Sequence, residues 1–223
     1  MIFVLTGAGL SAESGLGTFR DQGGIWTKYD LSKVATPEGY AADPSTVLDF
    51  YNARRANAAS AEPNAAHRAL ARLQGARETF LVTQNVDTLL DRAGAAQVLH
   101  MHGRLDQVLC NKCGARWHAP EIMDPFDHCE HCGAQAVRPD VVWFGEMPHG
   151  LDEIEANLSR ASLFVAIGTS GTVYPAAGFV EMAAAHGIPT LELNLEPSGG
   201  VFDEGRYGPA TGIVPAWVNE LCA

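Results

Sequence analysis

The chain has 223 residues, of which 47% are hydrophobic, and a formal net charge of −11 at pH 7. This length and composition allow one large core and a small additional module. The negative charge argues against a general nucleic-acid-binding surface and is typical of a soluble protein, although it would also attract basic protein partners. No apolar run approaches the ~18 residues of a membrane span and no basic leader precedes the first strand, so we expect a cytoplasmic protein.

The chain opens with a predicted strand at residues 2–6 that runs into a glycine-rich turn. Residues 7–12 match the dinucleotide fingerprint G-x-G-x-x-A. Glycines at 7 and 9 would let the backbone approach a pyrophosphate, whose charge would sit on the amides of a following helix. A dehydrogenase would close its first β-α-β unit about 30 residues later. The next predicted strand here is at residues 79–83, which argues against hydride transfer.

Predicted strands and helices alternate along the rest of the chain, which indicates an α/β fold with a Rossmann-like, doubly wound parallel sheet. The predicted strands are 2–6, 79–83, 97–101, 162–167 and 189–194, and the predicted helices are 64–75, 86–93, 151–160 and 176–186. Two insertions, an alanine-rich helical segment and a cysteine-containing segment, should form a smaller domain beside a substrate cleft. We expect the large domain to comprise residues 1–25, 63–103 and 139–223, and the small domain residues 26–62 and 104–138.

Four of the five cysteines form two C-x-x-C motifs, at Cys110, Cys113, Cys129 and Cys132. This grouping favours one tetrahedral zinc ion over two disulfides or four unrelated thiols. Four protein ligands leave no open coordination position, so we expect a structural zinc ion, one per chain. The fifth cysteine, Cys222, has no assigned role.

Three polar residues follow predicted strands at the edge where α/β proteins bind ligands. Asn85 and Asp87 follow the strand at 79–83, and helix N-capping is the alternative role for both. His102 follows the strand at 97–101, and its imidazole suits a general base near neutral pH, although a structural histidine is the alternative. His100 should point to the opposite side of an extended segment.

Several motifs, taken in order, resemble those of the sirtuin family. They are Gly-Ala-Gly-Leu-Ser-Ala-Glu-Ser-Gly at 7–15, Thr-Phe-Arg at 18–20, Thr-Gln-Asn-Val-Asp at 83–87, His-Gly at 102–103, Val-Val-Trp-Phe-Gly-Glu at 141–146, Gly-Thr-Ser at 168–170 and Asn-Leu-Glu at 194–196. The resemblance extends from Met1 to about Val218 and implies the same two-domain arrangement. One departure is Gly17, which stands where many relatives have proline.

The resemblance implies site residues of three kinds. The catalytic residues would be His102 as base, together with Asn85. NAD would be bound by Gly7, Ala8, Gly9, Ser11, Ala12, Phe19, Arg20, Gln84, Asn85, Val86, Asp87, Gly168, Thr169, Ser170, Asn194, Leu195, Glu196 and Ala210. An acyl-lysine peptide would add as a strand along Val141, Val142, Trp143, Phe144 and Gly145, a segment that alone also reads as an ordinary strand.

The implied activity is NAD-dependent protein-lysine deacylation, in which NAD is a consumed co-substrate and the products are nicotinamide and O-acyl-ADP-ribose. Tyr51 and Arg54 share one helix face and resemble the acyl-pocket pair of the desuccinylase subgroup, although such a pair is usually solvated. Arginine can grip a terminal carboxylate in a bidentate manner, and the small Ala12 agrees with that subgroup. A protein ADP-ribosyltransferase and a non-catalytic NAD-sensing module are the alternatives.

Overall fold

The structure, a computed structural model, describes residues 1–17 and 30–223. Its strands are β1 (Ile2–Thr6), β2 (Thr79–Thr83), β3 (Leu99–His100), β4 (Gly103–Cys110), β5 (Arg116–His118), β6 (Val137–Val141), β7 (Leu163–Ile167), β8 (Thr190–Asn194) and β9 (Glu204–Tyr207). Six of them form a parallel sheet in the order β3-β2-β1-β7-β8-β9. The strand order reverses between β1 and β7, which is where open α/β sheets bind ligands.

The α-helices are α1 (Leu31–Val34), α2 (Pro37–Ala42), α3 (Pro44–Ser60), α4 (Ala65–Ala76), α5 (Leu89–Arg92), α6 (Leu151–Leu158), α7 (Phe179–Ala185) and α8 (Ala210–Cys222). The two faces of the large sheet bury different helices. Val4 faces a core built with α4 and α8, whereas its neighbours Phe3 and Leu5 face a core built with α6 and α7. This alternation follows from the period of two in a strand. It confirms the predicted doubly wound α/β sheet.

A second, antiparallel sheet in the order β5-β4-β6 carries the cysteine motifs. Helix α3 packs against it and contributes to two small cores. Leu48 lies in a core with Cys110 and Cys129, and Tyr51 lies in another with Trp143. The two inserted segments therefore pack together, while the residue boundaries of the two domains stay a prediction.

Several predicted element bounds differ from the structure. The predicted strand 97–101 is reduced to Leu99–His100, and the predicted helix 86–93 is reduced to Leu89–Arg92. In the loop before that helix, the Asn85 N–H binds Thr83 Oγ1 and the Val86 carbonyl accepts from Leu105, so these groups are used outside any helix. The predicted helix 176–186 begins with a 3-10 turn before α7.

Residues 8–14, directly after the start of the glycine-rich turn, form 3-10 turns. The two turns are Ala8–Leu10 and Ala12–Ser14, and Gly15 ends the second with φ of 84°. The Gly9 N–H donates to the Gly168 carbonyl at 2.9 Å, so this amide is used within the protein. Within the described ranges, no helix is long and apolar enough to cross a bilayer.

The glycines at 7 and 9 allow the loop after β1 to touch the loop after β7. A Cβ atom on Gly9 would lie 2.7 Å from the Gly168 Cα, and one on Gly7 would lie 2.8 Å from the Gly168 carbonyl oxygen. Both distances are well inside van der Waals contact, and the atoms in the way belong to the backbone. These glycines are therefore required by close packing of two loops.

We expect Gly9→Ala to lower the free energy of unfolding by about 1–3 kcal/mol, the usual cost of forcing extra atoms into a packed site. Urea denaturation measures this loss. Gly75→Ala is the matched control, because Gly75 lies in α4 with no atom within 4 Å of an added Cβ. The control should gain up to about 1 kcal/mol from the better helix propensity of alanine. Equal stability of the two variants would contradict the packing role.

Candidate active site

The loops at the carboxyl edge of the large sheet are tied together at their roots. Thr6 Oγ1 donates to Thr83 Oγ1 at 2.8 Å, which joins the last residues of β1 and β2. The Gln84 N–H donates to the Thr6 carbonyl and the Gly7 N–H to the Ile167 carbonyl, both at 2.9 Å. The starts of the loops after β1, β2 and β7 are therefore held together by hydrogen bonds.

Ser11 is the hub of a hydrogen-bond network at this edge of the sheet. It is 2% exposed, and its Oγ lies 3.2 Å from His67 Nε2, 3.1 Å from Asn85 Nδ2 and 3.0 Å from Asp87 Oδ2. The Asn64 N–H donates to His67 Nδ1, so the proton of the neutral ring is on Nε2. The Ser11 hydroxyl then accepts from His67 and Asn85 and donates to Asp87. All its hydrogen-bonding capacity is used.

His67 is a site residue that the sequence analysis missed. It is fully buried, and burial followed by the charge of Arg68 lowers its pKa to about 4. A local sequence pattern could have identified His67. Asn64 caps helix α4, and His67 lies three residues later, at the position of the second capping-box residue. The neutral ring donates its Nε2–H to Ser11 Oγ.

We expect His67 to make the protein acid-sensitive. Below about pH 6.5 the unfolded state binds a proton at this ring while the folded state keeps it neutral. The free energy of unfolding should therefore be highest above about pH 6.5 and fall by up to about 3 kcal/mol as the pH drops towards 4. Urea denaturation at several pH values should show a shallower acid loss in His67→Gln. His118→Gln, at an exposed position, is the control. An unchanged acid slope in His67→Gln would contradict the assignment.

Asp87 and Asn85 have different roles in the structure. Asp87 Oδ1 accepts at 3.0 Å from the N–H of Leu89, the first residue of α5, while its other oxygen accepts from Ser11. The N-cap residue of α5 is Thr88 rather than Asp87. Burial raises the pKa of Asp87, and the bonds from Leu89 and Ser11 oppose that rise. Asn85 caps no helix, because its Nδ2 donates to the Gly7 carbonyl and to Ser11.

His102 has a defined proton position. Its Nδ1 lies 3.0 Å from the Gln84 carbonyl oxygen, which can only accept, so Nδ1 carries the proton and Nε2 keeps a lone pair. Burial lowers the pKa of His102, and the bond to Gln84 opposes this effect. Neighbouring His100 is instead engaged with Asp91 Oδ2 at 2.9 Å and lies 3.4 Å from the Asn85 carbonyl.

Tyr51 and Arg54 lie on helix α3. Tyr51 is 1% exposed and its hydroxyl accepts from Trp143 Nε1 at 2.9 Å, so the solvated-face interpretation is wrong for the tyrosine. The Arg54 guanidinium lies 5.4 Å from the Phe50 ring centre and 5.6 Å from that of Tyr51. Burial lowers the pKa of Arg54, and the charges of Tyr51 and Asp87 oppose this. The charge of Arg54 therefore interacts with that of Asp87, one of the predicted cofactor contacts.

The segment 141–145 is not the ordinary strand that its sequence allowed. Strand β6 ends at Val141, and Gly145 has φ of 89°. The Val142 N–H donates to the His102 carbonyl and the Phe144 N–H to the Ala35 carbonyl, both at 2.9 Å. The segment therefore bridges His102 and the helical insertion.

The predicted adenosine residues lie at the far side of the sheet edge. Asn194 ends β8 and donates to the Thr169 carbonyl at 2.9 Å, and Ser170 shares a hydrogen bond with Thr172. Ala210 is the first residue of α8, and the next residue, Thr211, donates twice to the Glu13 carboxylate. Glu13 thereby joins the segment after β1 to this helix.

The four cysteines of the C-x-x-C motifs converge in the small module. Their sulfur atoms all lie within 4.8 Å of one another, with Cys110 and Cys129 buried and Cys113 and Cys132 exposed. Four thiols at this separation fit the tetrahedral coordination of zinc. They are free cysteines, so the disulfide alternative is wrong.

Phe19 and Arg20, two predicted cofactor contacts, lie outside the described residues.

Comparison with known proteins settles the family. Residues 7–175 match the model of the Sir2 family. The chain belongs to the Sir2 family. It is 60% identical to an NAD-dependent protein deacylase of Caulobacter vibrioides, over 100% of this chain and 97% of that protein. The sirtuin resemblance inferred from the sequence motifs is confirmed.

Solved structures of the family have the same fold. A Sir2 homologue in complex with NAD is 37% identical, with a TM-score of 0.90 over 99% of this chain and 88% of that one. A Sir2 protein bound to an acetylated peptide is 26% identical, with a TM-score of 0.86 over 100% of this chain and 94% of the other. The Rossmann-like fold of this Sir2 protein is therefore confirmed.

Proposed function

We propose that this Sir2 protein removes acyl groups from protein lysine side chains with NAD as a consumed co-substrate, and that it does so in the cytoplasm. The observation that carries the proposal is the base at the sheet edge: His102 has its proton fixed on Nδ1 and a free lone pair on Nε2. The serine-centred network stands beside it. The deacylase relative and the family structures with NAD and acetylated peptide support the same reaction.

The lowered pKa of His102 keeps the ring neutral at physiological pH, as a general base requires. When bound, NAD supplies the reactive ribose that accepts the acyl group after nicotinamide leaves. In this proposal His102 Nε2 takes the proton of a ribose hydroxyl, and the Gln84 carbonyl steadies the ring as it becomes positive.

Asn85 and Asp87 would hold the nicotinamide end of the cofactor, because Ser11 fixes both side chains. Their rigidity is an energetic advantage, since groups already oriented lose little freedom on binding. Gly7, Gly9 and Gly168 place backbone rather than side chains at the same edge. The thiolate site would hold a structural zinc ion, because four protein ligands leave no position for a substrate.

The peptide would lie along the segment 141–145. The N–H groups of Val142, Trp143 and Phe144 are already bound, to His102, Glu146 and Ala35. The Val141 and Trp143 carbonyls also accept, from Arg138 Nη2 and from the Glu146 N–H. An extended peptide would therefore donate its N–H groups mainly to the carbonyls of Val142 and Phe144. Backbone pairing of this kind tolerates varied substrate sequences.

We further propose that the acyl pocket accepts succinyl and malonyl groups as well as acetyl. The Arg54 guanidinium lies 5.6 Å from the Tyr51 ring centre, and its charge interacts with that of Asp87. A guanidinium in a partly desolvated position pairs strongly with a carboxylate. The Tyr51 hydroxyl accepts the Trp143 N–H and keeps its own proton for a second hydrogen bond to the acyl carboxylate.

His102→Tyr should reduce deacylation by about 100- to 10,000-fold, the usual contribution of a general base. The assay incubates acetyl-, succinyl- and malonyl-lysine peptides with and without NAD and identifies the products by mass. His186→Tyr, at an exposed histidine on another part of the surface, should retain full activity. Full activity of His102→Tyr would contradict the assignment of His102 as the base. Covalent attachment of label from NAD to a protein would favour an ADP-ribosyltransferase.

Arg54→Met should lower activity on succinyl-lysine far more than on acetyl-lysine, because only the succinyl substrate brings a carboxylate that needs the cation. Loss of a charged hydrogen bond costs about 1.5–3 kcal/mol, or about a 10- to 150-fold fall in kcat/KM. Arg160→Met, at an exposed arginine after α6, is the control. An equal loss on both peptides would mean that Arg54 supports the helical insertion instead.

A further inference from the structure

Glu192 is a buried acid that the proposed mechanism does not use. It lies in the middle of β8 and is 2% exposed. Among the ion pairs of the described residues none includes Glu192, and Arg206 on the adjacent β9 pairs with Glu204 and Glu220. A buried carboxylate without a cation is costly unless hydrogen bonds compensate it, so its partners define what it does.

Three groups donate to this carboxylate. Oε1 accepts from the Ser198 N–H at 3.0 Å and from Asn194 Nδ2 at 3.2 Å, and Oε2 accepts from the Tyr207 hydroxyl at 3.1 Å. Partners that all donate are the arrangement of an ionised acid. Partial desolvation and then the bond to Glu192 raise the pKa of Tyr207, which keeps the phenol protonated as the donor.

The carboxylate fixes the orientation of the Asn194 amide. Both hydrogens of Nδ2 are used, one by Glu192 and the other by the Thr169 carbonyl. The Asn194 Oδ1 accepts from the Leu195 N–H at 3.0 Å and keeps a second lone pair. A flipped amide would place its oxygen against two acceptors. Asn194 can therefore only accept from a ligand.

We propose that Glu192 makes Asn194 an acceptor-only contact for the adenosine ribose, so that the site takes a ribose hydroxyl and rejects a 2′-phosphate. This inference rests on the proposed use of NAD by the residues around Asn194. A hydroxyl can donate to Asn194 Oδ1, whereas an ionised phosphate can only accept. The phosphate would also meet a buried negative charge one amide group away. Glu192 is thus a specificity-determining positioning residue for NAD over NADP.

Binding of ADP-ribose and of 2′-phospho-ADP-ribose, measured by titration calorimetry, tests this proposal without any acyl transfer. The unmodified protein should bind ADP-ribose much more tightly than its 2′-phosphate. Glu192→Gln keeps the shape and removes the charge, so it should narrow the ratio of the two dissociation constants by about tenfold. Glu204→Gln, an exposed acid on the adjacent strand, should leave the ratio unchanged.

A second variant separates charge from hydrogen bonding. Tyr207→Phe removes one donor and leaves the carboxylate charged, so it should keep the preference for ADP-ribose even if the overall affinity falls. An unchanged ratio in Glu192→Gln, or equal binding of the two ligands by the unmodified protein, would overturn the proposal. Inactivity on acyl-lysine peptides with selective ADP-ribose binding would contradict the proposed deacylation alone, and loss of all ADP-ribose binding would contradict both.

Discussion

The contact on which the site depends is the approach of two backbone loops at the point where the strand order reverses. Gly9 lies against Gly168 at a distance that no side chain at either position allows. The N–H of one donates to the carbonyl of the other, so the contact is also bonded. Ser11 follows two residues later, and its three partners come from the loop after β2 and from helix α4. The positions of these polar groups are therefore set by a contact that contains no polar side chain.

Features with a local sequence cause could be predicted well. The predicted strands at 2–6, 79–83, 162–167 and 189–194 match β1, β2, β7 and β8 to within one residue at either end. The strands β1, β2 and β7 are largely buried on both faces and are rich in apolar residues, as expected of central parallel strands. The cysteine cluster was equally predictable, because two short motifs fix four sulfur atoms through tight turns. In both cases the information lies within a few neighbouring residues.

Other features depend on partners distant in the sequence. Strand β9, Glu-Gly-Arg-Tyr, is mostly exposed and has no apolar run, and it forms by pairing with the edge of β8. The burial of Tyr51 depends on Trp143, 92 positions away, and the orientation of the Asn194 amide depends on the Thr169 carbonyl, 25 positions away. His67 has a local capping signal, but its bond to Ser11 joins residues 56 positions apart. The periodicity of the sequence does not predict contacts between residues so far apart in the chain.

Helix α3 has a consequence for how the small module affects chemistry. Its Leu48 packs with two of the four cysteines, its Asn52 exchanges hydrogen bonds with the main chain of Met123, and one turn from Leu48 Tyr51 packs with Trp143. A helix is stiff over such a short length, so displacement at one contact moves the others. If Tyr51 and Arg54 line the acyl pocket as proposed, damage to the cysteine cluster would therefore first change which acyl chains the pocket accepts, while the six-stranded sheet stays folded.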